Sequence, residues 1–561
     1  MSICLCCRYT GVAWATLTDF KKDRVKLIMS WPGTGREEGK VPTEIWYSDD
    51  GTASWGYEIP ANVEPFRWFK LLLLKREDLG DNVHSSEILT RGRAKLAESG
   101  KTATDLVADY LRHLWTHDFL EALPIQIIIT VPAIWKGYAR QAMRDAAARA
   151  GLLDTRLAGA TELTLAPEPE VAALATLIEQ GSGVLPDQAY LICDAGGGTV
   201  DLISYEVKSL TPMILHEAVE GKGGLCGGIF IDQAFERACR SRLGAKWERI
   251  SKVGLRDIMR KEWEHGVKSE FKPGRAGKEY VIALPAEVFR RGDPLDDMER
   301  LPHIKKGRIH FLESHIQAMF EATFHEINEL VEGQIQKAKA KGLSVIGIIL
   351  VGGLGCSPYL YDYLEDKHSG AGITILQSGG IKPRTAICRG AVMKGFMGQQ
   401  SNDPGLEPPI MISSRVSRAS YGIRFHTKYD PSLHPESERY YDEHLGEYRG
   451  QSVRDIEPVR FSWYQLFEEH EYLGTLKNRI YYCYDEVPPS RTSPSVGELG
   501  TIRCNLDAQY SELENFWSKT GKWIKIVRYD IELIPSGDSV EFVTYVGERK
   551  MGGKRVTLEY K

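Results

Sequence analysis

The segment AYLICDAGGGTVDLISYEV (residues 189–207) decides the fold. AYLICD (189–194) is a continuous apolar run ending in an aspartate, as expected of a strand covered on both faces. Three glycines follow, and then Thr199 and Asp201 lead into LISYEV (202–207), which alternates like a second strand. Gly196, Gly197 and Gly198 let the backbone turn with its N–H groups converging, and no side chain blocks a phosphate from them. Thr199 adds a hydroxyl donor. Asp194 and Asp201 offer hard oxygen atoms suited to a hydrated Mg²⁺ beside phosphates. A plain hairpin needs neither three glycines nor two flanking aspartates, so a phosphate-binding turn is expected.

Strand-like and helix-like segments alternate on both sides of this turn. IQIIITVP (125–132) reads as a buried strand, and YARQAMRDAAARAGL (138–152) as a helix stopped at Gly151. HIQAMFEATFHEINELVEGQI (315–335) spaces its apolar residues by three and four and predicts an amphipathic helix. IGIILVGGLG (346–355) is a strand running into a second glycine turn, where Ser357 and Pro358 suit a helix start. GKGGLCGGIFIDQAFE (221–236) reads as a loop and then a helix. Its doublets Gly223-Gly224 and Gly227-Gly228 could each approach an anion. The pattern is α/β up to about residue 400. SNDPGLEPPI (401–410) reads as a linker. Beyond it, WIKIVRYDIELI (523–534) and VEFVTYV (540–546) predict strands, Gly552-Gly553 a tight turn before RVTLEY (555–560), and 411–561 a smaller, mainly β domain.

At 561 residues the chain calls for more than one domain. Its composition, 42% hydrophobic and 26% charged, is that of a soluble globular protein. A net charge of -5 gives no reason to expect nucleic acid or an anionic membrane as partner. No stretch reaches the ~18 apolar residues of a membrane span. The 10 cysteines are mostly scattered singly, a reduced, intracellular pattern; a cytoplasmic protein is expected, with the nucleus equally compatible.

Together these segments resemble the ATPase domain of the 70-kDa heat-shock protein family, within the superfamily of actin and the sugar kinases. DAGGGTVD (194–201) is similar to its second phosphate loop, and TVPAIWKGYARQAMRDAAARAGL (130–152) to its strand, Val-Pro turn and long helix. APEPEVAAL (166–174) resembles the interlobe segment and VGGLGCSPYL (351–360) the adenosine loop. The tryptophan of VPAIW and the stretch EGKVPTEI (38–45) resemble the divergent twelve-type members; VPAIW and EPEVAAL also disfavour a sugar kinase. The resemblance implies a two-lobed actin-like (ribonuclease H-like) nucleotide-binding domain over 1–400, with lobes at about 1–188 and 189–400. It implies ATP or ADP with Mg²⁺ as ligands, and protein clients or co-chaperones as partners. Asp194 and Asp201 would hold the ion through water, and Gly196 to Thr199 would cradle the β- and γ-phosphates. Glu168 matches the interlobe glutamate. Lys70, in RWFKLLLL (67–74), resembles the lysine that orients the attacking water; as a bare residue it reads equally well as a surface lysine on a partly buried helix. Gly223 and Gly224 would lie near phosphate, Gly352 and Gly353 near adenosine, and Lys268 and Ser269 near adenine and ribose.

The first residues depart from the pattern. The family opens with an Asp-x-Gly-Thr-Thr hairpin, and YTGVAWA (9–15) fits its second half. Counting back without a gap, the aspartate falls on Cys4, the glycine on Cys6, and the threonines on Cys7 and Arg8. A thiol is a poor partner for hydrated Mg²⁺, and a side chain at position 6 removes a glycine's freedom. Arg8 could pair with phosphate oxygens or be a solvated loop residue. CLCC has no second Cys or His pair nearby, which argues against structural zinc; palmitoylation would require a nearby membrane. The favoured reading is a first strand with Ile3 and Leu5 facing the core. The expected function is a chaperone-like nucleotide switch with weak or absent ATP hydrolysis, the alternative a pseudo-ATPase serving as an interaction scaffold.

Overall fold

The computed structural model describes residues 1–561 except 23, 79–85, 118–123, 134, 181–183, 276, 398–409, 415, 417–419, 456–459, 472–473, 484, 486, 490–492, 507–508, 537–538 and 558–561. The fold is mixed α/β, and the chain divides into two compact units, Met1–Val416 and Ser417–Lys561.

The first unit is built on two six-stranded sheets. In one, Ser2–Leu5 forms an antiparallel hairpin with Tyr9–Trp14 and pairs in parallel with Gln126–Val131, which in turn pairs in parallel with Glu162–Pro167. In the other, Ala189–Ala195 forms a hairpin with Val200–Leu210 and pairs in parallel with Val345–Val351, which carries Thr374–Leu376 at the edge. Each sheet thus sets a tight hairpin turn beside the ends of parallel strands, where ligand crevices form in open α/β sheets. The Ala189–Ala195 strand is buried along its whole length, as its unbroken apolar run requires. Val200–Leu210 is also buried over its first half, because helices cover that sheet on both faces and override the alternation of LISYEV.

Helices Glu168–Gln180 and Lys382–Met397 pack on each other, and their alanines, with Cys388 and Val392, share one core with Cys4, Ala13 and Ile128 of the first sheet and Ile192 and Ile203 of the second. The expected helices form over Gly137–Arg149, with Gly151 at φ +82°, and over Glu313–Ala340. Pro358–His368 starts as its sequence predicts, Pro358 in its first turn and the Ser357 hydroxyl accepting the Leu360 N–H. No described helix is long and apolar enough to cross a membrane.

Two sequence expectations shift. Residues 401–409 of the expected linker lie outside the described residues. Ile410–Ser414, assigned from sequence to the end of the linker and the start of the β domain, instead adds in parallel to the Met213–Gly224 edge of the first unit. In the second unit two five-stranded antiparallel sheets enclose a core including Ile423, Leu476, Ile531 and Phe542. Gly552 and Gly553 do not turn there. They lie inside the strand Arg549–Thr557, opposite Thr544 and Val543, and Gly547 at φ +61° makes the turn. A Gly-Gly pair supplies freedom that this strand does not use.

Candidate functional site

The first hairpin turn, Cys6–Cys7–Arg8, is fixed by its neighbours. Thr43 donates its N–H to the Arg8 carbonyl (2.9 Å) and its hydroxyl to the Cys6 carbonyl (2.8 Å). Ile3 and Leu5 are buried in the core as the favoured reading requires, and Cys4 is buried opposite Gly11. Burial pushes the Cys4 and Cys7 thiols up, so both stay protonated. Among the described residues no three His, Cys, Asp or Glu side chains converge closely enough to ligate a metal directly.

This turn lies against the glycine turn residue for residue. A Cβ placed on Gly197 would stand 2.9 Å from the Arg8 Cβ, one on Gly198 2.9 Å from the Cys7 Sγ, and one on Gly196 3.9 Å from the Cys6 Sγ. The glycines are therefore required for packing as well as for any ligand. Arg8 is neither solvated nor free. It pairs with Asp232, and its Nη1 stands 2.9 Å from the Glu264 carboxylate. Burial disfavours the charge on Glu264, but Arg8 and Lys268 outweigh it and hold the carboxyl down to about 2.

Beneath the turns lies a buried ionic cluster. Lys70 is 1% exposed and its Nζ donates to Glu168 at 2.7 Å, under the ring of Trp135 at 5.3 Å. Lys70 precedes a 3₁₀ turn, Leu71–Leu73, not a helix face at the surface. Burial disfavours its ammonium, and Glu168 more than offsets that, so its pKa is raised. Glu168, at the start of its helix, also accepts from the Thr130 hydroxyl at 3.3 Å. Asp201 is fully buried. Its Oδ1 accepts the Ala133 N–H at 2.9 Å, whereas Oδ2 has no well-formed hydrogen bond among the described residues. Burial, then the Glu168 charge, push its carboxyl up to about 7, and burial with Glu168 and Asp201 raises Asp194 well above the usual carboxylate range. Three carboxylates thus share two lysines, Lys70 and the more distant Lys40, a set that a divalent cation would compensate.

An open cavity of about 850 Å³ faces these turns. Its lining includes Gly196, Gly197, Gly228, Lys268, Ser269 and Gly353 from both sides. Gly352, at φ +89°, brings its backbone against Asp194: a Cβ there would stand 2.4 Å from the carboxylate. Gly223 and Gly224 do not line the cavity. They close the strand Met213–Gly224, and a Cβ on Gly224 would meet Leu330 and Cys226. Of the second doublet Gly228 lines the cavity, and the Gly227 and Gly228 N–H groups donate to the carbonyls of Gly198 (3.2 Å) and Gly196 (3.1 Å). Lys268 lines the cavity, but its ammonium is held by the Gly228 carbonyl (3.0 Å), Asp232 (2.7 Å) and Glu264 (3.2 Å). Ser269 sits exposed at the rim. Sequence reasoning missed Lys40, Cys356 and Arg384, which also line the cavity. Lys40 stood in the quoted EGKVPTEI and Cys356 in the quoted VGGLGCSPYL; Arg384 carries no local signal.

A glycine turn closes on a buried carboxylate–lysine cluster, between two sheets that each pair a hairpin with parallel strands. The chain is a divergent homologue of proteins named as 70-kDa heat-shock proteins. It is 23% identical over 518 residues to "Heat shock 70 kDa protein 12B" of Homo sapiens, covering 76% of this chain and 71% of that protein. It is 23% identical over 500 residues to "Heat shock 70 kDa protein 12A" of Mus musculus, covering 73% and 70%. It is 26% identical over 282 residues to "Chaperone protein DnaK" of Thermoplasma volcanium, covering 48% of this chain and 39% of that protein. No family model matches the chain.

The raised Asp201 carboxyl makes a pH test. A group lifted from 3.8 to about 7 in the folded state binds a proton that the unfolded chain has released between those values. Its contribution to stability is full below pH 4 and is lost as pH rises through about 7. The melting temperature of the ligand-free protein is expected to fall between pH 5 and 8 with a component that Asp201→Asn removes. An unchanged slope in that variant would refute the assignment.

Proposed function

We propose that the chain is a nucleotide-binding, chaperone-like switch whose cleft takes Mg-ATP or Mg-ADP between two actin-like lobes, with hydrolysis weak or absent. The observation that carries this reading is the apposition of Cys6, Cys7 and Arg8 to Gly196, Gly197 and Gly198. Asp194 and Asp201 would hold Mg²⁺ through its waters, and the unpartnered Asp201 Oδ2 fits that role. The ion would neutralise phosphate charge. Gly196 to Thr199 would offer backbone to the phosphates, with Gly228 in the wall beside them, and Gly352 and Gly353 would let adenosine lie flat. Lys70, held by Glu168, would orient a water.

The opposite hairpin supplies little to a transition state. Position 6 carries a side chain, Cys7 is a weak donor, and the Arg8 guanidinium is engaged by Asp232 and Glu264. Phosphoryl transfer depends on positioning and charge stabilisation, so such losses weaken hydrolysis more than binding. γ-Phosphate release is expected at least about 10²-fold below that of a relative with an intact hairpin, while calorimetry detects ADP binding that requires Mg²⁺. Turnover equal to the intact relative, and unchanged by Cys6→Gly, would overturn the reading.

The scaffold alternative is favoured by one observation, that Arg8 ties the first hairpin to Asp232 and Glu264 without help from a ligand. A thermal shift separates the two. Stabilisation by Mg-ATP supports the switch, and none with either nucleotide supports the scaffold.

A further inference from the structure

A second open cavity lies beside Arg8 and Tyr9, which line both cavities. Seven Arg and Lys side chains line it against four Asp and Glu. Three of the four carboxylates are already claimed, and the fourth, Glu64, makes no ion pair among the described residues. Arg8 holds Asp232, Arg91 stands 3.5 Å from Glu236, and Glu44 is shared by Arg67 (3.1 Å) and Arg260. Three cations remain. Arg256 donates only to the Ile59 carbonyl (2.9 Å), Lys95 only to the Glu64 carbonyl, and Lys252 makes no hydrogen bond or ion pair, all among the described residues.

The charge is crowded as well as unmatched. Burial and then the neighbouring Arg260 lower the Arg256 pKa, and burial lowers that of Lys95, opposed by Glu64 and aided by Arg67 and Lys252. Partly buried like charges of this kind repel one another, and an anion between them relieves both repulsion and desolvation. The wall is mixed. Phe66, Ile88 and Met259 add apolar surface, and Trp68 is held at φ +54°, a strained conformation for a bulky residue.

We propose that this cavity binds a small phosphate ester, its phosphate between Arg256, Lys95 and Lys252 and its organic part against the apolar wall. Guanidinium groups match phosphate oxygens in pairs, which makes Arg256 the main anchor and the two lysines supporting point charges. The three anchors do not line the nucleotide cleft, which the cavity adjoins at Arg8 and Tyr9, and the inference does not depend on nucleotide binding there.

The test is calorimetric titration of the full chain with phenyl phosphate and with inorganic phosphate, each with and without saturating Mg-ADP. Phenyl phosphate is expected to bind at least tenfold more tightly than inorganic phosphate, equally well in the presence of Mg-ADP. Arg256→Glu is expected to weaken it at least tenfold, Arg256→Lys to retain most of it. Because Lys252 is exposed, Lys252→Glu folds safely and is expected to weaken binding several-fold. Equal affinity for the two probes, displacement by Mg-ADP, or unchanged binding in both charge reversals would overturn the proposal.

Discussion

Lys70→Ala is expected to destabilise the first unit by about 3–5 kcal/mol, the range for breaking a buried ion pair from one side. The lysine is 1% exposed and is the cation in contact with Glu168, whose charge in turn acts on Asp194 and Asp201. Without it Glu168 loses its ion pair, and the Asp194 and Asp201 carboxyls, already raised, lose a compensating charge, so the cluster holds its protons more tightly. The loss should therefore be larger at pH 8 than at pH 5. Urea titration monitored by tryptophan fluorescence suits the measurement, because Trp135 lies over the ammonium. Lys70→Met combined with Glu168→Gln removes both charges and should recover most of the stability. A single alanine variant as stable as the parent at pH 8 would show that the cluster is neutralised in some other way.

Gly390→Ala should be nearly as damaging, for a steric reason. A Cβ at that position would stand 1.7 Å from the Val171 carbonyl oxygen, backbone that cannot rotate aside. The helices Lys382–Met397 and Glu168–Gln180 would have to separate, and overpacking of this kind costs about 3 kcal/mol. The same shift would move Glu168, the first residue of its helix, away from Lys70. Gly333→Ala is the matched control. That glycine lies inside the Glu313–Ala340 helix with open space around it, so alanine there should stabilise by about 0.5–1 kcal/mol. Chemical denaturation of both variants, compared by midpoint, decides the matter, and equal midpoints would refute the packing argument.

Much of the α/β order was legible because buried strands and glycine turns are written locally. The run AYLICD gives its strand, and Ser357-Pro358 gives the start of a helix. The pairing of Lys70 with Glu168 was not legible from spacing, since 98 residues separate them and only the family resemblance put both in one cleft. The choice between Gly223-Gly224 and Gly227-Gly228 failed for a different reason. Both doublets look alike in sequence, and only the strand pairing of Gly223 with Asp201 shows that the first is used up in a sheet. Arg8 was open between phosphate ligand and surface residue because its partners, Asp232 and Glu264, lie more than 200 positions away. The second cavity, lined by Arg256, Lys95 and Lys252, left no sequence signal, for its charges are drawn from segments that look ordinary one at a time.

The strand Ile410–Ser414 also bears on how the protein can be handled. It covers one margin of the second sheet, supplying partners to backbone groups of Met213–His216. A truncation ending near residue 400 would strip that cover and leave a row of open donors and acceptors, the template on which stray chains assemble. Purified fragments should therefore extend to residue 416, so that the cut falls between units and not through a sheet.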